Sequence, residues 1–382
     1  MSKKPFIHLH NHSDFSLLDG AQTCKEMAET VASLGHTHVA LTDHGTMRGF
    51  YKFHHACKDV GVKPIFGFEA YMCKDRLRRG ITDEEKAQIT KGITNKREQN
   101  AAIKEMEEKL GTRRRFHSCL WAKDDVGLKN LFRLSSIGWQ EGFYYRPRID
   151  MEALSRHTEG VMFSTSCVSG VLAVPFMMGD IEEVMRLLGE LQKLFGDDLY
   201  LEIMPHDFDE QVKVNLATVH IAESLGIQII ATNDAHYALK GDYLRHEVSL
   251  CMQSKDVWSN PNRWKFTGTG FYLRSREEME AEFAKEHPKI PSAVVQQALD
   301  TTYELALKAT AEVKIDRHAC LLPPVQITRA HHEGFLEWAS NMYPEFYSSI
   351  GDEKDLPPDA SCCNPAGDQA PSAADDCEHT HE

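Results

Sequence analysis

Imidazole, carboxylate and thiolate side chains recur along this 382-residue chain where short apolar runs end. The first cluster is His8-Leu9-His10-Asn11-His12, with Asp19 shortly after. Asp43-His44, Glu69, His117, Cys167 and Asp234-Ala235-His236 follow. These side chains are the ligand set of zinc and related divalent ions. Several such ions suit phosphoester hydrolysis. One lowers the pKa of a bound water, another stabilises the leaving oxyanion, and a pair about 3.5–4 Å apart clamps the phosphate. A multinuclear metallohydrolase is the expectation.

Each group has its own reading. His10 and His12 fall on one side of an extended chain, because side chains alternate along a strand, so both can reach one ion. His8 has the same parity and reads as a further ligand or a support for one. A surface His-x-His pair is the bland alternative. His44 is the ligand expected in its pair, with Asp43 as its support or substitute. Glu69 can bridge two ions, and Asp234 with His236 repeats the two-residue spacing. Alone, Cys167 would read as a buried structural thiol and His117 as an ordinary imidazole; their weight is joint. In Tyr144-Tyr145-Arg146-Pro147-Arg148, the two arginines read either as phosphate ligands or as a solvated pair.

Elements must bring these groups together. Apolar runs predict strands at 5–10, 38–43, 64–70, 116–122, 160–165, 199–204 and 228–233. Segments of helical spacing separate them. Residues 181–195 are amphipathic and stop at Gly196; residues 210–225 stop at Gly226. Repeated strand–helix units predict parallel strands closing into a barrel, with the chemistry at one rim. Residues 1–240 are the expected barrel. A charged insertion at 71–115 reads as a solvated helical excursion or as a basic lid guiding DNA through Arg76, Arg78 and Arg79. Residues 241–325 form an extension packed on the barrel, with a helix near 293–311. Residues 326–350 read as a helical segment. Residues 351–382 read as a disordered acidic tail whose Cys362, Cys363, Cys377, His379 and His381 match no compact zinc motif.

Composition bounds the class. With 42% hydrophobic residues the chain can bury a large core. It holds no run of 18 apolar residues, so no membrane span is expected. No signal sequence precedes the first strand, and the 10 cysteines form no framework; both point to the cytoplasm. The net charge of −14 weighs against broad binding to duplex DNA. That charge is uneven: residues 74–115 carry 13 Lys/Arg against 8 Asp/Glu, and residues 351–382 carry 9 Asp/Glu against one Lys.

Together the segments resemble the polymerase and histidinol phosphatase (PHP) family, most closely the N-terminal PHP domain of bacterial DNA polymerase III alpha subunits. The resemblance runs over residues 5–325. It rests on His8-Leu-His10-Asn-His12-Ser-Asp through Asp19-Gly, Thr42-Asp-His44-Gly, Gly67-Phe-Glu69-Ala-Tyr, Gly142-Phe-Tyr-Tyr-Arg-Pro-Arg148 and Thr232-Asn-Asp234-Ala-His236-Tyr. It implies a distorted seven-stranded (β/α)7 TIM-like barrel holding two or three zinc, manganese or iron ions. The implied ligands are His10, His12, Asp19, His44, Glu69, His117, Cys167, Asp234 and His236. A metal-activated water is expected at His10, His12, Glu69 and Asp234. The implied activity is 3′–5′ exonuclease action on DNA in replication or proofreading. The implied partners are a DNA 3′ end and a separate polymerase chain or other replication proteins.

One departure is the missing palm. Asp207-Phe208-Asp209 reads as the start of a helix with an Asp cap, so polymerase activity by this chain alone is not expected. A histidinol-phosphate-type phosphatase and the structural N-terminal part of a split polymerase subunit remain alternatives. An amidohydrolase would want a bridging carboxylated lysine, and none is evident.

Overall fold

The computed structural model describes residues 3–17, 19–111 and 114–313, with isolated positions at 334, 337–338 and 341–342. Residues 3–313 fall within one compact unit. The tail and most of the 326–350 segment lie outside the described residues.

Seven strands form a mixed sheet curled into a half-barrel: β1 (His38–Leu41), β2 (Lys63–Met72), β3 (Phe116–Ala122), β4 (Arg148–Ile149), β5 (Val161–Ser164), β6 (Leu199–Ile203) and β7 (Gln228–Ala231). The order is β1-β2-β3-β5-β6-β7, with the short β4 paired to β2. Around the sheet lie α1 (Cys24–Ser33), α2 (Phe50–Asp59), α3 (Asp83–Ile89), α4 (Lys96–Leu110), α5 (Asp125–Gln140), α6 (Met151–Ser155), α7 (Ala173–Met177), α8 (Ile181–Phe195), α9 (Asp209–Leu225), α10 (Tyr243–Ser254), α11 (Arg276–Glu286) and α12 (Ser292–Lys308). No helix among the described residues is long and apolar enough to cross a membrane.

Two expectations about the strands need correction. Residues 5–10 form no regular strand. They make single bridges instead: His8 pairs with Val39 on one side, and Asn11 pairs with Ala235 on the other. Ala40 N–H donates to His8 O at 2.9 Å, and His12 N–H donates to Ala235 O at 2.8 Å. This irregular stave links β1 to the segment after β7. The second correction concerns direction. β3 runs antiparallel to both β2 and β5. The insertion leaves the end of β2 and returns directly as β3, so the connection is an elaborated hairpin rather than a crossover.

That reversal matters for the site. His117 lies near the start of β3, yet the antiparallel register sets it opposite Tyr71 near the end of β2. A residue at a strand start thereby joins residues at strand ends. The insertion also begins and ends on this side, and its middle is helical as α3 and α4.

Ile7, Leu9, Ala40, Ile65, Trp121, Met162, Tyr200 and Ile230 pack into one cluster contributed by the stave and six strands. Leu305 and Ala306 of α12 join that cluster. Lys308 bonds to Asp198 and Tyr200 at the start of β6, and Thr310 N–H donates to Lys123 O just past the end of β3. α12 therefore covers the end of the sheet away from the ligand-bearing rim. α8 spans the predicted residues and ends in Gly196. α9 ends in left-handed Gly226, as its sequence suggests, but Phe208 occupies its N-cap and no Asp side chain caps it.

Candidate metal centre

The rim gathers the candidate ligands from seven separate segments. His10 and His12 come from the stave, Asp19 from the turn after it, and His44 from just beyond β1. Glu69 comes from β2, His117 from β3, Cys167 from beyond β5, and Asp234 and His236 from beyond β7. Among the described residues four sets have donor atoms within 4.8 Å of one another: His12 with His44 and His236, His10 with His12 and Asp234, His44 with Glu69 and His117, and, behind the rim, His10 with Cys119 and Glu202. Asp19 joins the first set, 3.3 Å from His44 Nε2. Cys167 adjoins the third, its Sγ 3.9 Å from His117 Nδ1.

The buried polar atoms test whether ions fit here. His10 Nε2, His12 Nε2, Asp19 Oδ1, His44 Nδ1, Glu69 Oε2, Asp234 Oδ1 and His236 Nε2 are all buried without a hydrogen-bond partner. Close approaches without hydrogen-bond geometry bring them together: His10 Nε2 is 3.2 Å from Asp234 Oδ1, and His12 Nε2 is 3.1 Å from the same oxygen. Orphaned buried acceptors are costly unless a cation or proton stands among them. The mixture of imidazole, carboxylate and thiol fits zinc, manganese or iron.

Supporting contacts fix how the imidazoles face. His10 Nδ1 lies 2.8 Å from Glu202 Oε1, so Nδ1 donates and Nε2 turns its lone pair to the rim. Glu202 is 2% exposed and also accepts from Ser164 Oγ and Thr232 Oγ1. His12 Nδ1 reaches Ser16 Oγ at 3.1 Å, and Ser16 Oγ donates to Asp43 Oδ1 at 2.7 Å. Asp43 also accepts from Ser13 N–H and Ser13 Oγ. It thus holds the 13–16 turn and is no substitute ligand.

Electrostatics follow the packing. Burial opposes charge on Glu69, but His117, His44 and His10 outweigh it and hold the carboxyl well below the usual range. Asp234 is likewise held low, against its burial, by His10 and His236. His12 drops to about 3 through burial and its neighbours His44 and His236. Its ring stands 4.1 Å from His44 and 4.3 Å from His236. Burial, then Glu69 and Asp234, push the Cys167 thiol up. A thiolate there needs a cation beside it.

Backbone strain marks the same places. Ser166 (φ 60°) and Asp234 (φ 47°) are left-handed without being glycine. The Ser166 hydroxyl donates to Glu69 Oε1 at 2.6 Å. Gly45 is left-handed at φ 61°, and a Cβ there would lie 2.6 Å from Pro147 Cγ. The 142–147 loop therefore lies against the His44–Gly45 turn.

Other sequence candidates land elsewhere. A bend at His10 breaks the alternation, so His8 turns away from His10. Its Nε2 meets the Arg274 backbone at 2.9 Å and its ring stacks on His36. Arg148 is 1% exposed and donates to the carbonyls of Gly142, Arg76 and Arg78, so its guanidinium is structural. Arg76 is committed to Asp150, Glu141 and Glu152, and Arg78 to Glu85. Among the described residues Arg79 reaches the Glu141 carbonyl, at 3.4 Å. Arg146 contacts the Tyr145 carbonyl and no carboxylate among the described residues. The sequence reading missed Glu202. Its signal was a lone carboxylate inside the apolar run Leu199-Tyr200-Leu201-Glu202-Ile203.

The sequence is similar to that of known proteins. The PHP domain matches residues 8–206. The DNA polymerase III alpha subunit of Borreliella burgdorferi is 34% identical over 322 residues, covering 84% of this chain and 25% of that protein. That of Helicobacter pylori strain J99 is 34% identical over 341 residues, covering 86% and 25%. That of Deinococcus radiodurans is 37% identical over 281 residues, covering 72% and 19%. The chain thus spans about a quarter or less of the length of these curated relatives. Among solved structures, an amidohydrolase from Chromobacterium violaceum aligns with a TM-score of 0.34 and 14% identity over 60% of this chain and 87% of its own. With the PHP domain matched over more than half its length, the chain belongs to the PHP-domain family.

Proposed function

We propose that this chain is a multinuclear metal-dependent phosphoesterase that removes nucleotides from the 3′ end of DNA. The observation that carries it is the convergence of buried, unpartnered donor atoms from His10, His12, Asp19, His44, Glu69, Asp234 and His236 at one rim. Divalent ions held by those residues, with His117 and Cys167, would supply Lewis acidity and a water acidic enough to attack a phosphodiester. The protein's own part is positioning. Glu202 sets the His10 tautomer, Ser16 and Asp43 set His12, and Ser166 orients Glu69. Arg146 is the guanidinium left for the substrate phosphate, since Arg148 is spent on backbone carbonyls.

DNA is favoured as substrate by the alpha-subunit relatives, and a polymerase chain or other replication proteins are the partners this reading implies. Orphaned donor atoms weigh against a purely structural role, because a scaffold gains nothing from leaving them unpaired. The test is hydrolysis of 3′- and 5′-labelled single-stranded DNA by manganese-loaded protein, beside histidinol phosphate. The control is the His10→Ala, His12→Ala double variant. Stepwise loss from the 3′ end that vanishes in the variant is expected. Release of phosphate from histidinol phosphate alone would replace this reading with a small-molecule phosphatase.

A further inference from the structure

Beside the metal centre the chain displays an aromatic pair that no ligand role uses. Trp139, at the end of α5, and Phe143, in the following loop, stack with ring centroids 5.4 Å apart and planes 19° from parallel. Both reach solvent, at 36% and 43% exposure. Adjacent exposed aromatic rings form a contiguous apolar patch of the kind that marks a contact surface. The pair is held in place. Trp139 Nε1–H donates to Gly45 O at 3.0 Å, which ties the indole to the residue after His44. Gly142 permits the loop's return, since a Cβ there would lie 1.9 Å from Arg148 O.

The charge around the pair is positive. The Arg48 guanidinium lies over Trp139, 4.4 Å from the ring centroid. Neither Arg48 nor Arg146 is paired with a carboxylate among the described residues. The nearby acids are taken: Glu141 and Glu152 pair with Arg76. β4 pairs Arg148 with Tyr71, and Arg146, two residues before that pair, acts electrostatically on Tyr71, whose ring stacks 5.8 Å from that of His44. Flat rings interleaved with free guanidiniums, opening onto a phosphoesterase rim, match a single strand of nucleic acid. Rings take bases and guanidiniums take phosphates.

We infer that Trp139 and Phe143 form a stacking platform for an unpaired nucleobase of a single-stranded DNA whose phosphates lie over Arg48 and Arg146. This rests on the phosphoesterase reading for its substrate, and it adds that the enzyme grips bases as well as phosphates. It makes an unpaired end the preferred substrate, because a paired base has its faces covered by its neighbours in the duplex.

The test separates bases from phosphates. Binding is measured by fluorescence anisotropy with a phosphorothioate oligodeoxythymidylate about eight nucleotides long, and with an abasic strand of the same length and backbone. Neither probe is shortened during the measurement. The wild type is expected to bind the thymidylate about tenfold more tightly than the abasic strand. Phe143→Ala should reduce that preference to about twofold or less, and Phe143→Tyr should restore it. A melting temperature close to wild type confirms that the alanine variant is folded. Equal binding of the two strands by the wild type, or a full preference retained by Phe143→Ala, overturns the platform. Base preference without hydrolysis of natural DNA would leave the platform standing and remove the exonuclease. Hydrolysis without base preference would do the reverse.

Discussion

His10 and Glu202 lie 2.8 Å apart, Nδ1 to Oε1, with neither side chain exposed. The carboxylate is contributed by β6 and the imidazole by the irregular stave. Glu202 fixes the imidazole tautomer and raises its basicity toward an ion. Glu202→Gln should therefore lower affinity for manganese or zinc by about 10–100-fold while the protein stays folded. Isothermal titration of the metal-stripped protein reads this directly. Unchanged affinity would show that His10 needs no carboxylate support.

Metal should stabilise the fold. The donor atoms at the rim are buried, make no hydrogen bond and crowd against one another, so an ion that binds only the folded chain shifts the equilibrium. At free manganese about 100 times its dissociation constant, the gain is about 2.7 kcal/mol. Thermal melts with added manganese and with chelator should differ accordingly. The His10→Ala, His12→Ala double variant should lose most of that difference. A melting temperature indifferent to metal would contradict the assignment of these residues as ligands.

Arg146 and Arg148 should part company on mutation. Arg148 is buried and satisfies three backbone carbonyls, so Arg148→Ala should cost about 3 kcal/mol of stability. Arg146→Ala should change stability by no more than about 0.5 kcal/mol, yet raise KM on single-stranded DNA roughly fivefold. Urea denaturation and steady-state kinetics separate the two. Equal behaviour of the pair would refute this division of labour.

His36 should give part of the stability a pH dependence. It packs against Phe6 and His8, and burial lowers it from 6.5 to about 4. The unfolded chain takes up its proton near 6.5 and the folded chain only near 4. Unfolding therefore binds a proton between those values, and stability falls as pH drops through that window. The contribution is intact above about pH 6.5, and from pH 7 to pH 5 it shrinks by about 2 kcal/mol. His36→Phe keeps the ring packing and removes the proton. Its denaturation midpoint relative to wild type should rise on going from pH 7 to pH 5. A constant difference between the two proteins would mean that His36 titrates normally when folded.

The sequence alone located the helices that end in Gly196 and Gly226, six of the apolar runs that became strands, and the polar residues just beyond them. It could do so because those signals are local: periodicity, a stop residue, and a ligand type after a run. It could not show that β3 runs backward, since strand direction depends on what a strand pairs with rather than on its own residues. That reversal carries His117 to the rim from the start of its strand. Nor could it show that the parity of residues 8–12 fails at His10. Bridges to Val39 and Ala235 hold that segment as an irregular stave, and His8 is turned to Arg274 instead. Arg148 illustrates the same limit. Its type and spacing suit a phosphate, and only packing committed it to backbone carbonyls. Glu202 is the converse: one carboxylate in an apolar strand acquires its partner, His10, 192 positions away only when the sheet curls. Local chemistry is written in the order of residues. Which group faces which is decided by long-range pairing, where the cost of an unpaired buried atom selects the arrangement.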